Sequence, residues 1–153
     1  MSDQKPSVDS EIRPKLAVDL SNRVRELLDK TDRTSEEDKM MVHAAHASRF
    51  HWREVGAPLE FERGEWQISR VHSTLRRPQA ALHHANRCLE ICQANGIADF
   101  DLAFAYEALA RAHATAGRGR QFLTLAEKAA EAIEDKGNRE YTLGELAAVK
   151  VML

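Results

Sequence analysis

Residues 66–130 read WQISRVHSTLRRPQAALHHANRCLEICQANGIADFDLAFAYEALARAHATAGRGRQFLTLAEKAA, and they spell out one helical hairpin twice. At an offset of 41 residues, Ile68 falls on Leu109, Ala81 on Phe122, Leu82 on Leu123, Ala85 on Ala126 and Cys88 on Ala129. The same 41-residue step backwards lands on Leu27, Met40, Met41, Ala44 and Ala47. Every occupant is apolar or small. A hairpin with one apolar stripe cannot bury that stripe alone, whereas stacked hairpins bury their stripes jointly, and a fixed period of this size marks such a stack. Small side chains at Ala44, Ala85 and Ala126 let neighbouring helices approach closely. A bulky residue there would push hairpins apart, at about 1–3 kcal/mol.

Outward from this stretch, the chain reads as helices punctuated by caps. The first nine residues read as a frayed tail. A first helix is expected from Ser10–Pro14, with Pro14 in its first turn, carrying the stripe Leu16, Leu20, Val24, Leu27 and Leu28. Thr34-Ser35-Glu36-Glu37 is a capping-box pattern that opens a second helix, which Gly56 stops. Pro58 and Pro78 start the third and fourth helices, and Asn95-Gly96 ends the fourth. Asp99 is expected to cap a fifth helix, Gly117-Arg118-Gly119 to form a tight turn, and Gly137 to end a sixth. A seventh, with no partner helix after it, finishes in Val149, Val151, Met152 and Leu153. Period-2 alternation of β-branched residues is absent.

Composition sets bounds. A chain of 153 residues with 43% hydrophobic and 30% charged residues suits one globular domain, here residues 10–153. A net charge of −2 gives no global field towards nucleic acid or anionic lipid, so neither partner is expected. No run approaches the roughly 18 apolar residues of a membrane span, and the polar N-terminus lacks the apolar core of a signal peptide, so a cytoplasmic location is expected. Cys88 and Cys92 read as two reduced thiols on one helix.

Tyr106, Leu109, Ala110, His113, Gly117, Phe122, Ala126 and Ala129 follow the order and spacing of a tetratricopeptide repeat, with His113 where an aromatic is usual. The preceding copy, with Ile68, Ser69, His72, Ala81, Ala85 and Cys88, follows it less closely: Arg76 stands where glycine is common and Glu65 where tryptophan is common. The 41-residue period also exceeds the family's usual one of about 34. Over residues 10–150 the chain therefore resembles a tetratricopeptide-repeat protein with long repeats, and His43–Arg111 resembles small bacterial proteins to which no activity is assigned. The resemblance implies an all-α, right-handed superhelix of about three antiparallel helix pairs plus a C-terminal helix, with a concave face for peptide or protein recognition.

By that resemblance, the groove is lined by Arg63, Trp66 and Arg70 on the third helix, Phe104, Glu107 and Arg111 on the fifth, and Asn22, Arg25 and Asp29 on the first. Each triplet spans one helix face. Arginines beside tryptophan suit an interaction hot spot, and Arg63, Arg70 and Arg111 suit a carboxylate or acidic segment of a partner. The competing reading makes Glu107–Arg111 a surface i, i+4 pair and Trp66 a core residue.

Seven histidines open a second function class. His43 and His46 lie one turn apart, and His84, Cys88 and Cys92 form a row on the fourth helix. At the 41-residue offset His43 and His84 are equivalent, so His43, His46, His84 and Cys88 are candidate ligands for a zinc-like ion. The competing reading makes them hydrogen-bonded histidines at helix seams, with Cys88 a small packing residue. No Cys-x-x-Cys, His-Glu-x-x-His or glycine-rich phosphate loop occurs, and Ser69 with His72 lacks an acidic orienter. The expectation is a binding module without catalysis or cofactor, a metal-binding helical protein being the alternative. The seventh helix either caps the stack or pairs with a second copy in a homodimer.

Overall fold

Local chemistry sets most of the helix limits. In the computed structural model, which describes residues 8–153 with side chains from Ser10 on, Thr34 accepts a hydrogen bond from the Glu37 N–H while the Glu37 carboxylate accepts from the Thr34 N–H. That reciprocal cap opens α2 (Ser35–Val55) behind α1 (Val8–Asp29). Proline occupies the first turn of α3 (Pro58–Thr74) and of α4 (Pro78–Ala94), where its missing N–H costs little. α5 (Asp99–Thr115) turns through Gly117 and Gly119, both at positive φ, into α6 (Arg120–Glu131). Asp135 accepts from the Asn138 N–H and caps α7 (Lys136–Val151). Among the described residues all regular structure is helical.

The helices form an open row. Each packs on the next in sequence, α3 also packs on α5, α5 packs on α7, and α1 touches α3 lightly. Among the described residues the backbones of α2 and α4 do not meet, nor do those of α4 and α6, and α1 packs on none of α4 to α7. The core is correspondingly serial. Val24, Leu27, Met41, Ile68 and Val71 make one cluster, Cys88, Cys92 and Ala105 a second, and Leu123, Ala126, Ile133, Leu146 and Val149 a third. Side-chain donors cross the seams: Ser48 donates to the Ala17 carbonyl at 2.7 Å, Gln67 to Ser21 at 3.1 Å and Ser69 to Ala81 at 2.8 Å.

The repeat register holds at its central positions. Leu27, Ile68 and Leu109 are all buried, as are Ala44, Ala85 and Ala126. Burying each leucine or isoleucine contributes about 1.5–3 kcal/mol. Met40 departs, being 52% exposed, while Met41 carries the core contact. His113 stacks on Phe122 with ring centroids 4.2 Å apart.

Several boundaries differ from expectation. Of the tail expected over residues 1–9, residues 1–7 lie outside the described residues, and Val8 and Asp9 are already helical. Pro14 therefore sits beyond the first turn of α1. Asp99 does not cap its own helix: it adopts φ +55°, and its carboxylate accepts from the Glu134 N–H at the α6–α7 connection. α6 ends at Glu131, well before Gly137, which falls inside α7. No described helix is long and apolar enough to cross a membrane.

Candidate functional site

Of the residues expected to line a groove, Trp66, Arg70, Phe104, Glu107 and Arg111 gather beneath α7. Glu107 is wholly buried, and its carboxylate accepts from Trp66 Nε1 at 3.0 Å and from Arg111 Nε at 2.6 Å. Glu145, on α7, accepts from Arg70 at 3.1 Å and from Arg111 at 3.3 Å. Two guanidiniums thus meet two carboxylates, which is how charge survives burial. Phe104 is buried too, edge-on to Trp66 and stacked on Tyr141 of α7. Trp66 and Glu107 are the same position of successive repeats, 41 residues apart, so one repeat reads the next through this bond. At Phe104, Glu107 and Arg111 the expected groove is filled from within, because α7 lies over α5 and supplies the carboxylate itself. Arg63 remains 57% exposed in its side chain and holds Asp101 by two bonds of 2.8 and 3.1 Å.

The histidines gather elsewhere. α2 and α4 both pack on α3, so His46, His72 and His84 meet across it, each offering a ring nitrogen within 4.8 Å of the others. Ring centroids are 5.3 Å apart for His46 and His84, 5.9 Å for His46 and His72, and 5.9 Å for His72 and His84. Glu65 lies 2.6 Å from His84 Nδ1 and also accepts from Arg49 Nε at 3.1 Å. Arg49 reaches it by passing over Gly64, where a Cβ would come within 2.7 Å of Arg49 Cδ, and it rests on the Phe61 ring. Burial would raise the Glu65 carboxyl, but the bond to His84 and the Arg49 charge outweigh it and hold the group low. Burial, with His84 and His46 as neighbours, pushes His72 down to about 4, and burial also lowers His46. His72 is buried, and its Nδ1 has no hydrogen-bond partner.

Of the four candidate ligands, the structure unites His46 and His84 but adds His72 in place of His43 and Cys88. Register equivalence of His43 and His84 does not make them partners: α2 and α4 come no closer than side-chain contact, and the residue that α2 brings to His84 is His46, one turn on from His43. His72 was legible only as a residue one turn beyond buried Ile68; the sequence had paired it with Ser69, whose hydroxyl instead donates to Ala81. Cys88 belongs to a separate, fully buried group with Cys92 and Glu62. Its thiol donates to Glu62 Oε2 at 3.3 Å and stays protonated, held up by its contact with Cys92 and by burial. Glu62 is itself pushed up to about 9, first by burial and then by the Asp101 carboxylate. Arg63 lies 3.8 Å from Glu62 Oε1 and would favour the ionised form, but its guanidinium is committed to Asp101. A surface hollow of about 520 Å3 at Gly117–Gln121 and Leu153 is lined by none of these groups.

Compared with protein-family models, curated proteins and solved structures, the chain matches none.

Proposed function

We propose that the chain is a helical-repeat binding module, arranged like a tetratricopeptide superhelix and without catalysis of its own, whose first helices receive a peptide or protein partner. The packing order carries this reading. Backbone contacts run between successive first helices and not between successive second helices, which supports a row that bends towards the first helices as its inner wall. A closed bundle would bring α1 back to α7, and it does not return.

The partner-facing part of that wall lies on α1 and α3, since α7 covers α5. Asn22, Arg25 and Asp29 are exposed, Arg63 is more than half exposed in its side chain, and Arg70 and Trp66 are partly so. Arg25, exposed, and Arg63, more than half exposed although Asp101 holds its guanidinium, favour an acidic segment or a free carboxylate as ligand. Arg111 is unsuited to a binding test, because removing it would strand buried Glu107.

The test uses Arg25→Glu with Arg63→Glu and a panel of fluorescein-labelled acidic peptides, read by anisotropy. The parent chain is expected to bind a member of the panel, more weakly as salt rises. The double variant is expected to lose at least about tenfold in affinity, with its helical circular dichroism retained. Equal binding by both chains, or by neither, would reject the assignment.

A further inference from the structure

We propose that His46, His72 and His84 form a binding site for a divalent transition metal of the zinc class, with Glu65 as the carboxylate that orients His84. This is independent of the partner-binding wall, which uses other faces of α1 and α3.

The geometry supports it at several levels. Imidazole nitrogens bind zinc at about 2.0–2.1 Å, which in a tetrahedral site separates neighbouring nitrogens by about 3.3 Å. The three nitrogens already lie within 4.8 Å of one another, so small side-chain rotations close the set. They come from three different helices, so α2, α3 and α4 fix the spacing rather than one flexible loop. Glu65 accepts at His84 Nδ1, so that nitrogen donates and Nε2 is the ring atom left to face an ion, the usual arrangement behind a metal-bound histidine. Arg49 in turn holds Glu65, passing over Gly64 to do so.

The rings are also left in a state that suits a cation. His72 is buried with Nδ1 unpartnered, although buried ring nitrogens ordinarily find a partner. Three imidazoles meeting at one point, His72 stacked on His84 and His46 edge-on to both, satisfy few of each other's hydrogen-bonding needs, whereas a shared ion would satisfy all three at once. His46 is exposed while His72 is buried, so the site is floored by α3 and open on the α2 side. An ion would enter there and keep a fourth position for water or a ligand oxygen.

Cobalt is the probe, because its spectrum reports ligand type. The chelator-stripped full chain is titrated with Zn2+ and, separately, Co2+. We expect one equivalent bound and visible cobalt bands of a four-coordinate, nitrogen-rich site. His46→Ala removes an exposed ring and little packing, and should weaken binding at least about tenfold with circular dichroism unchanged. Glu65→Gln should weaken it by about 10–100-fold, the range for loss of an orienting partner. His83→Ala, exposed beside the cluster, should change nothing. The proposal is overturned by the absence of saturable binding, or by equal losses in His46→Ala and His83→Ala. A sulfur-to-cobalt charge-transfer band that Cys88→Ser abolishes would also overturn it, assigning the metal to the thiol pair.

Discussion

Glu62 holds its proton where a carboxylate normally would not. Its side chain is buried beside Cys88, Cys92 and Asp101, and burial lifts it to about 9 from 4.5. In the window between those values the folded chain binds a proton that the unfolded chain has released. The associated stability is therefore complete below about pH 4.5 and drains away as pH rises towards 9. Glu62→Gln keeps the shape and removes the titration. It should raise stability near pH 8 by something on the order of 1–3 kcal/mol and change little near pH 5. Urea unfolding at the two pH values checks this, and an equal effect at both would refute it. Glu107 presents the opposite case, a buried carboxylate matched by Arg111 and Trp66. Glu107→Ala leaves Arg111 with Glu145 alone and Trp66 Nε1 without its acceptor, and should destabilise by about 3–5 kcal/mol, whereas Arg63→Ala, at a half-exposed pair, should change stability by less than about 1 kcal/mol.

At the scale of elements, α7 is the piece that turns a prospective groove into interior. It buries Leu146 and Val149 against α5 and α6, lays Tyr141 on Phe104 and delivers Glu145 to Arg70 and Arg111. A chain ending at Glu134 should therefore expose the apolar face of α5 and leave Arg111 half-paired. Its expected behaviour is a lower melting temperature and light scattering from associated species. A truncated chain as stable and monodisperse as the parent would show that α7 is dispensable. The same helix marks where sequence reading ran short. Thr34, Pro58 and Pro78 announced their helices because capping and proline chemistry act within one turn. α7 starts 37 residues after α5, whereas α5 starts 41 after α3, so the repeat step no longer applied, and Gly137 masked the cap at Asp135. Periodicity put Phe104, Glu107 and Arg111 on one face correctly, but which helix would cover that face is decided by tertiary packing. For the same reason the histidines on α2 and α4 were visible as a group while His72, on the helix between them, was not.

Across the whole molecule the row of helices sets how a disturbance travels. The cluster of Val24, Leu27, Met41, Ile68 and Val71 belongs to α1, α2 and α3, and α1 touches nothing beyond α3. The cluster of Leu123, Ala126, Ile133, Leu146 and Val149 belongs to the far end. When units meet only their neighbours, stability is close to a sum of unit and interface contributions, and a weak end opens without the rest. Leu27→Ala removes a buried side chain and should destabilise the first pair by about 2–5 kcal/mol. Amide exchange should then speed up in α1 and α2, less in α3, and hardly at all in α6 and α7. Leu146→Ala should give the mirror image, with α1 and α2 protected. The His46 ring rides on α2, so Leu27→Ala should also weaken Zn2+ binding while Leu146→Ala leaves it near the parent value. Uniform acceleration of exchange by either substitution would mean one cooperative unit, and would remove the basis for treating the two ends as separate.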